Sequence, residues 1–243
     1  MNSSIFVILI EPQMGENIGA TARAMSNFGY CNLHIVNPRD GWPNQKALEM
    51  ATHGKFVIEQ AEIFQDIESA ISNINYLIAT TANTRYLPKT VNSPSEIAHK
   101  IGQYVDSKHL MKIGLMFGRE RSGLTNKEIS FADEIVQIDT VKTNPSLNLA
   151  QSVCIIIYEL SKINKLGSSK FNLMQKATQA ELSYLIGHLE NELDETNFFQ
   201  LPEKKQGMMQ NIRNIIMRMC LSSQDVGTLR GIIKAIKKNR NGN

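Results

Sequence analysis

The sequence predicts an α/β fold, with a mainly parallel sheet and helices between its strands, followed by a small all-helical unit. Three observations carry that expectation. Short apolar runs of strand length alternate with helix-start signals as far as residue 164. The first of them, IFVILI at 5–10, is apolar at every position, which suits a central strand buried on both faces. After the polar, small-residue stretch KLGSSKFNLMQKA no strand signal survives, so residues 1–165 and 166–243 are expected to form two units.

Taken in order, the strand at 5–10 delivers the loop EPQMGENIG, and ATARAMSNFG reads as a helix closed by Gly29. NLHIV at 32–36 is a second strand, residues 44–51 a helix, 56–58 a short strand and 65–72 another helix. YLIATTA begins at Tyr76 and ends in Thr80 and Thr81, small hydroxyl residues that permit close approach of a ligand. Ser93, Pro94 and Glu96 make a capping box with proline at the first helical position, which predicts a helix over 94–105. The run Ile113 to Phe117 stops at Gly118, and Gly123 follows before Leu124, so a strand delivers a tight glycine-bounded loop. Thr125 and Glu128 then cap a short helix, a strand follows at 134–138, and Ser146 opens a long apolar helix through Tyr158. This makes about six strands, and places two strand-to-helix loops at the carboxyl ends of neighbouring parallel strands, where open α/β sheets bind ligands.

Beyond the linker, Thr178 and Glu181 cap a helix with Leu182, Leu185, Ile186, Leu189 and Leu193 on one face. Pro202 starts a second helix carrying Met209, Ile212, Ile216 and Met219, and Val226, Leu229, Ile233 and Ile236 mark a third. The methionines read as core filler.

Bulk properties narrow the function. Cys31, Cys154 and Cys220 lie far apart without metal spacing and fit reduced, buried thiols in a cytoplasmic protein. No apolar stretch reaches a membrane span, and the first residues lack a signal-type pattern. The glycine loop departs from a P-loop, because Leu124 rather than Lys follows Gly123, which argues against ATP hydrolysis. Gly15 and Gly19 give only a weak dinucleotide signal. Net charge is +3, divided as −5 before Lys204 and +8 from there to the end, which suggests a polyanion-binding appendage on a slightly acidic body. Taken singly, the glycines could serve turns, Ser146 could cap a helix, and Arg119, Glu120 and Arg121 could be solvated. Arg23 is read as sitting one turn into its helix, near the positive N-terminus, where an anion is held well.

Three segments together are more specific: ENIGATARA at 16–24, MFGRERSGL at 116–124 and SLNLAQSV at 146–153. In order and spacing they resemble the SPOUT class of knotted RNA methyltransferases, in its TrmH branch, and FFQLPEKK, NIRNIIMRM and TLRGII are similar to a helical extension found there. The resemblance implies a deep trefoil knot at the C-terminal end of the sheet domain, a homodimer, S-adenosylmethionine as cofactor and no metal. It further implies 2′-O-methylation of a cytidine or uridine at position 32 of the tRNA anticodon loop. The alternatives are a ribosomal RNA ribose methyltransferase or a catalytically silent RNA-binding module.

Carried over residue by residue, the resemblance places Arg23, Arg119, Ser146 and Asn148 at positions associated with catalysis. Thr80, Thr81, Gly118, Glu120, Ile138, Ser146 and Leu147 fall at the cofactor, and Asn17, Arg23 and Arg85 at the RNA; the charge split adds Lys204, Lys205, Arg213 and Arg218 as expected RNA contacts. Asn83 departs from a basic residue common in the family, and Asp139 from a usual proline.

Overall fold

The computed structural model describes residues 4–82, 89–105, 111–163 and 176–240. Among them seven strands form one sheet: β1 (Ile5–Ile10), β2 (Asn32–Val36), β3 (Glu62–Phe64), β4 (Tyr76–Thr80), β5 (Val91–Asn92), β6 (Ile113–Phe117) and β7 (Glu134–Val136). Their order is β3-β2-β1-β6-β4-β7-β5 and every pairing is parallel. The register sets Leu9 beside Phe117 and Thr80 beside Val136, so the carboxyl ends of β1, β4, β6 and β7 gather along one edge.

The helices are α1 (Gly15–Asn27), α2 (Gln45–Ala51), α3 (Lys55–Glu59), α4 (Ile67–Ile71), α5 (Pro94–Val105), α6 (Asn126–Phe131), α7 (Leu149–Ile163), α8 (Gln179–Glu195), α9 (Pro202–Arg218) and α10 (Ser223–Arg240). One sheet face buries Val7, Leu9, Ile78 and Leu115 against α1, α2, α3, α5 and α7. The other buries Ile8, Ile10, Leu77 and Met116 against α4 and α6. Alternate residues of β1 thus enter different cores, which is why its sequence carries no polar position. On the first face α1 lies so close to α2 that a Cβ on Gly19 would stand 2.3 Å from the Ala47 carbonyl oxygen. Gly15 and Gly19 serve helix packing, which accounts for glycines that mimic a dinucleotide loop.

Most boundaries follow the sequence signals, and the exceptions have local causes. Residues 56–58 lie in helix α3 rather than a strand, and the strand comes a few residues later as β3. Three consecutive apolar residues do not distinguish a buried helical turn from a strand. Strand β5 is two residues long and offers no periodicity to read. The long apolar helix starts at Leu149 instead of Ser146 and runs on to Ile163. Cys31 and Cys154 are half-buried and Cys220 is exposed, so the expected burial of the thiols does not hold. Cys220 falls just past α9, in a left-handed turn with φ 50° that takes it off the helix's apolar face. No helix among the described residues is long and apolar enough to cross a membrane.

The expected boundary at 165/166 lies outside the described residues. Lys176 and Ala177, which the sequence assigns to the linker, are buried. Helices α8, α9 and α10 surround their own core of Leu182, Leu185, Ile186, Ile216, Met217, Leu221 and Val226. This unit is tied to the sheet domain by backbone bonds from Gln179 N–H to the Ile74 carbonyl, 2.9 Å, and from Ala180 N–H to the Ser72 carbonyl, 3.2 Å. At the centre of the junction Lys176 Nζ lies 2.6 Å from Asp133 Oδ1, with side-chain exposures of 7% and 3%. Asp133 Oδ2 accepts the Leu77 N–H at 2.8 Å, and the Lys176 ammonium stands 4.4 Å from the Tyr76 ring centroid.

Removing one member of a buried ion pair leaves the other charge without compensation, so Lys176→Met is expected to cost about 3 kcal/mol. Urea unfolding measures it, and a loss comparable to that of an exposed surface pair would show that the junction does not depend on this contact.

Candidate active site

At the sheet's carboxyl edge, β6 runs into a five-residue turn closed by the Gly123 N–H, which donates to the Arg119 carbonyl at 2.8 Å. Gly123 takes φ 65°, a conformation that disfavours side chains. Gly118 faces the returning backbone: a Cβ there would meet Gly123 C at 2.3 Å and Leu124 N at 2.4 Å. The first glycine permits the close approach and the second the reversal.

Arg119 fixes this turn to its neighbours. Its Nε donates to Glu11 Oε2 at 2.7 Å, and Nη1 and Nη2 donate to Glu128 at 3.1 and 3.0 Å. Glu11 ends β1's reach, while Glu128 belongs to α6, where it also completes the capping box with Thr125. Burial pushes the Glu128 carboxyl upward, but the hydrogen bonds from Arg119 and the Thr125 N–H, with the arginine's charge, hold it below its ordinary value. Nε and both Nη atoms of Arg119 are engaged, which makes it a clamp between β1, β6 and α6.

The next residue links all three sequence segments. Glu120 accepts from the Gln13 N–H and from Asn17 Nδ2, each at 2.8 Å. Asn17 Oδ1 in turn accepts from Asn148 Nδ2 at 2.9 Å. Asn148 Oδ1 accepts the Ala150 N–H at 2.9 Å, so Asn148, rather than Ser146, is the cap of α7. One carboxylate and two amides therefore hold the start of α1, the glycine loop and the start of α7 in fixed relation.

In front of this chain lies a cleft lined by Thr80 and Thr81 from the end of β4, the 118–124 loop, and Val136, Ile138, Ser146 and Leu147. All the residues expected at the cofactor line it. Among the expected catalytic residues Ser146 and Arg119 line it too, Asn148 stands behind it, and Arg23 is not in its wall. Arg23 is exposed and lies eight residues after the start of α1, about 12 Å along the helix axis. The helix dipole acts within the first turn, so the expectation that Arg23 sits in its field is corrected.

The expected RNA contacts are scattered. Lys204 and Arg218 are exposed. Lys205 pairs with Glu190 at 3.1 Å and Asp194 at 2.7 Å, and Arg213 stacks 4.4 Å from the centroid of Phe131. Lys237 likewise pairs with Glu192 and Glu195. Acids of α8 thus offset part of the positive charge that follows them, a cancellation hidden by a charge split drawn at Lys204, after those acids. Asn17 is part of the hydrogen-bonded chain, and Arg85 and Asn83 lie outside the described residues. The sequence did not single out Glu11 or Gln13, whose roles depend on partners more than a hundred residues away. Among the described residues no group of three or more His, Cys, Asp or Glu is placed to hold a metal ion.

An all-parallel sheet whose glycine loop and neighbouring helix cap build one cleft at its carboxyl edge defines a small-molecule-binding α/β enzyme class. The chain belongs to the SpoU rRNA methylase family, whose model matches residues 4–158, and residues 180–243 match the C-terminal domain of the tRNA methyltransferase TrmJ. It is similar to the tRNA (cytidine/uridine-2′-O-)-methyltransferase TrmJ of Salmonella choleraesuis, 32% identical over 248 residues and covering 100% of both chains. The tRNA (cytidine-2′-O-)-methyltransferase TrmJ of Methanocaldococcus jannaschii is 30% identical over 235 residues, 95% of this chain and 98% of that one. The crystal structure of TrmJ from Z. mobilis superposes with a TM-score of 0.85 at 34% identity, covering 96% of this chain and 98% of the other.

Two outcomes follow from the loop. Gly118→Ala is expected to destabilise the protein by about 1–3 kcal/mol in denaturant unfolding, because the clash is with backbone rather than a flexible side chain. Glu128 has a depressed pKa, so its contribution to stability is present above the ordinary value of 4.5 and is lost as pH falls through the depressed value. In Glu128→Gln that acid-side slope should flatten; an unchanged slope would assign acid sensitivity elsewhere.

Proposed function

We propose that the chain is an S-adenosylmethionine-dependent 2′-O-methyltransferase acting on cytidine or uridine at position 32 of the tRNA anticodon loop. The observation that carries this reading is the convergence of the three segments on one cleft through Glu120, Asn17 and Asn148. The family model's description names ribosomal RNA, which supports ribosomal RNA as the second reading. The match of residues 180–243 to a TrmJ C-terminal domain, and the full-length relatives, favour tRNA.

The cleft suits the cofactor on its own features. Val136, Ile138, Leu147 and Leu149 offer an apolar wall for an adenine ring, while Thr80, Thr81 and Ser146 offer hydroxyls and the glycine loop exposes backbone groups. The Cβ-free Gly118 leaves the backbone close enough to serve as a cradle. When bound, S-adenosylmethionine supplies an electrophilic methyl group. Arg119 acts as a positioning residue, since its guanidinium is committed to Glu11 and Glu128. Asn148 fixes the start of α7 and with it Ser146 and Leu147. Arg23, placed beside the nucleotide's phosphate, orients the ribose and stabilises negative charge on the 2′ oxygen as its proton leaves.

In the homodimer that the resemblance implies, Arg23, which does not line the cleft of its own chain, serves the partner's cleft. The position of β7 between β4 and β5 supports the knotted path that the resemblance implies.

The test is incubation with S-adenosylmethionine and either unmodified tRNA or ribosomal RNA, followed by nucleoside mass spectrometry. Methylated ribose in tRNA, mapped to the anticodon loop, is expected; methylation of ribosomal RNA alone selects the second reading. Arg23→Ala should lower the rate by about 10²-fold or more while leaving cofactor affinity in calorimetry unchanged. A parallel loss of cofactor binding would make Arg23 structural. Mixing Arg23→Ala chains with chains mutated in the cleft should restore activity if the arginine serves its partner.

A further inference from the structure

A second cleft, of about 380 Å³, lies where the helical unit meets the sheet domain. That is within the size range of small-ligand sites. Helix α6 contributes Lys127, α8 contributes Ile186, and α9 contributes Gln206, Met209, Gln210 and Arg213. Its chemistry is uneven in an informative way. The Arg213 guanidinium carbon stands 4.4 Å from the Phe131 ring centroid, and Nη1 is buried without a hydrogen-bond partner. An orphaned buried donor of this kind is costly unless something accepts from it. Burial lowers the Arg213 pKa, with Glu68 and Glu190 opposing that shift, so an anion in the cleft would favour the charged form. Glu190 and Lys205 also line the cleft and pair with each other at 3.1 Å, so Lys127 and Arg213 are the cations of the lining with no carboxylate among the described residues in ion-pair contact.

The rest of the lining suits something larger than an inorganic anion. Met209 and Ile186 give an apolar floor. Gln206 and Gln210 stand one helical turn apart on α9, so their amides present donors and acceptors on the same face. Amide side chains over an apolar surface are suited to the edges and faces of unpaired bases, and cations to the adjoining phosphate.

We propose that this cleft receives one nucleotide of the substrate RNA, with its phosphate toward Lys127 and Arg213 and its base against Met209, Gln206 and Gln210. The inference rests on the reading above that the substrate is RNA. An occupant here grips both units at once. It also adjoins α6, the six-residue helix whose Glu128 holds Arg119 and the glycine loop. The cleft therefore places the RNA relative to the first site while taking no part in the chemistry.

The experiment uses the full chain with Lys127→Gln and, separately, Gln210→Trp, because Lys127 is exposed and Gln210 is only half-buried. Dissociation constants for tRNA across a salt series, the KM for tRNA, cofactor affinity and melting temperature are measured together. Lys127→Gln should weaken tRNA binding and reduce the log–log salt slope by about one. Gln210→Trp, which fills the cleft without changing charge, should raise the KM for tRNA about tenfold with kcat and cofactor affinity unchanged, a loss in the range set by one base contact. An unoccupied packing gap behaves differently: filling it raises the melting temperature and leaves tRNA binding unaltered, which would overturn the proposal. Cytidine monophosphate protecting the cleft while tRNA affinity stays constant in both variants would also overturn it, in favour of a free nucleotide. If the unmodified chain methylates tRNA and the variants match it, only this cleft is lost; if the unmodified chain methylates no RNA, the functional reading fails first and the cleft with it.

Discussion

The candidate site depends on bringing a turn of backbone against itself and keeping it there. Nothing in the five-residue loop after β6 buries enough apolar surface to do this alone, and its glycines increase the entropy that must be overcome. Arg119 supplies the restraint by spanning two carboxylates from different parts of the chain, Glu11 and Glu128. A guanidinium suits the task because its planar fork binds one carboxylate through two parallel bonds and still has Nε for another. With the turn fixed, Glu120 points back toward α1 and can organise Asn17 and Asn148. The cleft's walls, drawn from the ends of β4, β6 and β7, follow from that arrangement.

The helical unit is a continuation of this architecture more than an appendage to it. Among the described residues the second sheet face has two short helices of its own, α4 and α6, and α8 and α9 pack beside them. The junction is fastened by backbone bonds and a buried ion pair, both directional interactions. Such contacts add a constraint of angle and distance that apolar burial alone does not impose. Arg213 extends the same junction by stacking on Phe131.

Much of the fold was legible in the sequence because its signals are local. The apolar runs at 5–10 and 113–117, the capping boxes at Thr125 and Thr178, and proline at the start of α5 each act through neighbours a few residues away. Helix α3 is not legible, because a triplet of apolar residues has no period. The site was legible as a set of motifs but not as a mechanism of assembly. Asn148 looks like an ordinary polar residue until its partner, 131 positions earlier, is beside it. Arg119 reads as solvated for the same reason. The charge of the basic tail is smaller in the fold than in the count, because Lys205 and Lys237 pair with acids of α8.

The strand order also bears on how the molecule is made. Among the described residues β5 pairs with β7 alone, and β7 sits between it and β4. On a ribosome, β4 and β5 emerge with a vacant lane between them, and the lane's occupant begins at Glu134, 42 residues after Asn92. At about 5–20 residues per second that interval lasts roughly 2–8 s. Throughout it β4 exposes an unpaired edge of Ile78, Ala79 and Thr80, the kind of edge that pairs with other chains. The lane between β4 and β5 is therefore filled late, and the sheet cannot close along that edge until its seventh strand has been made.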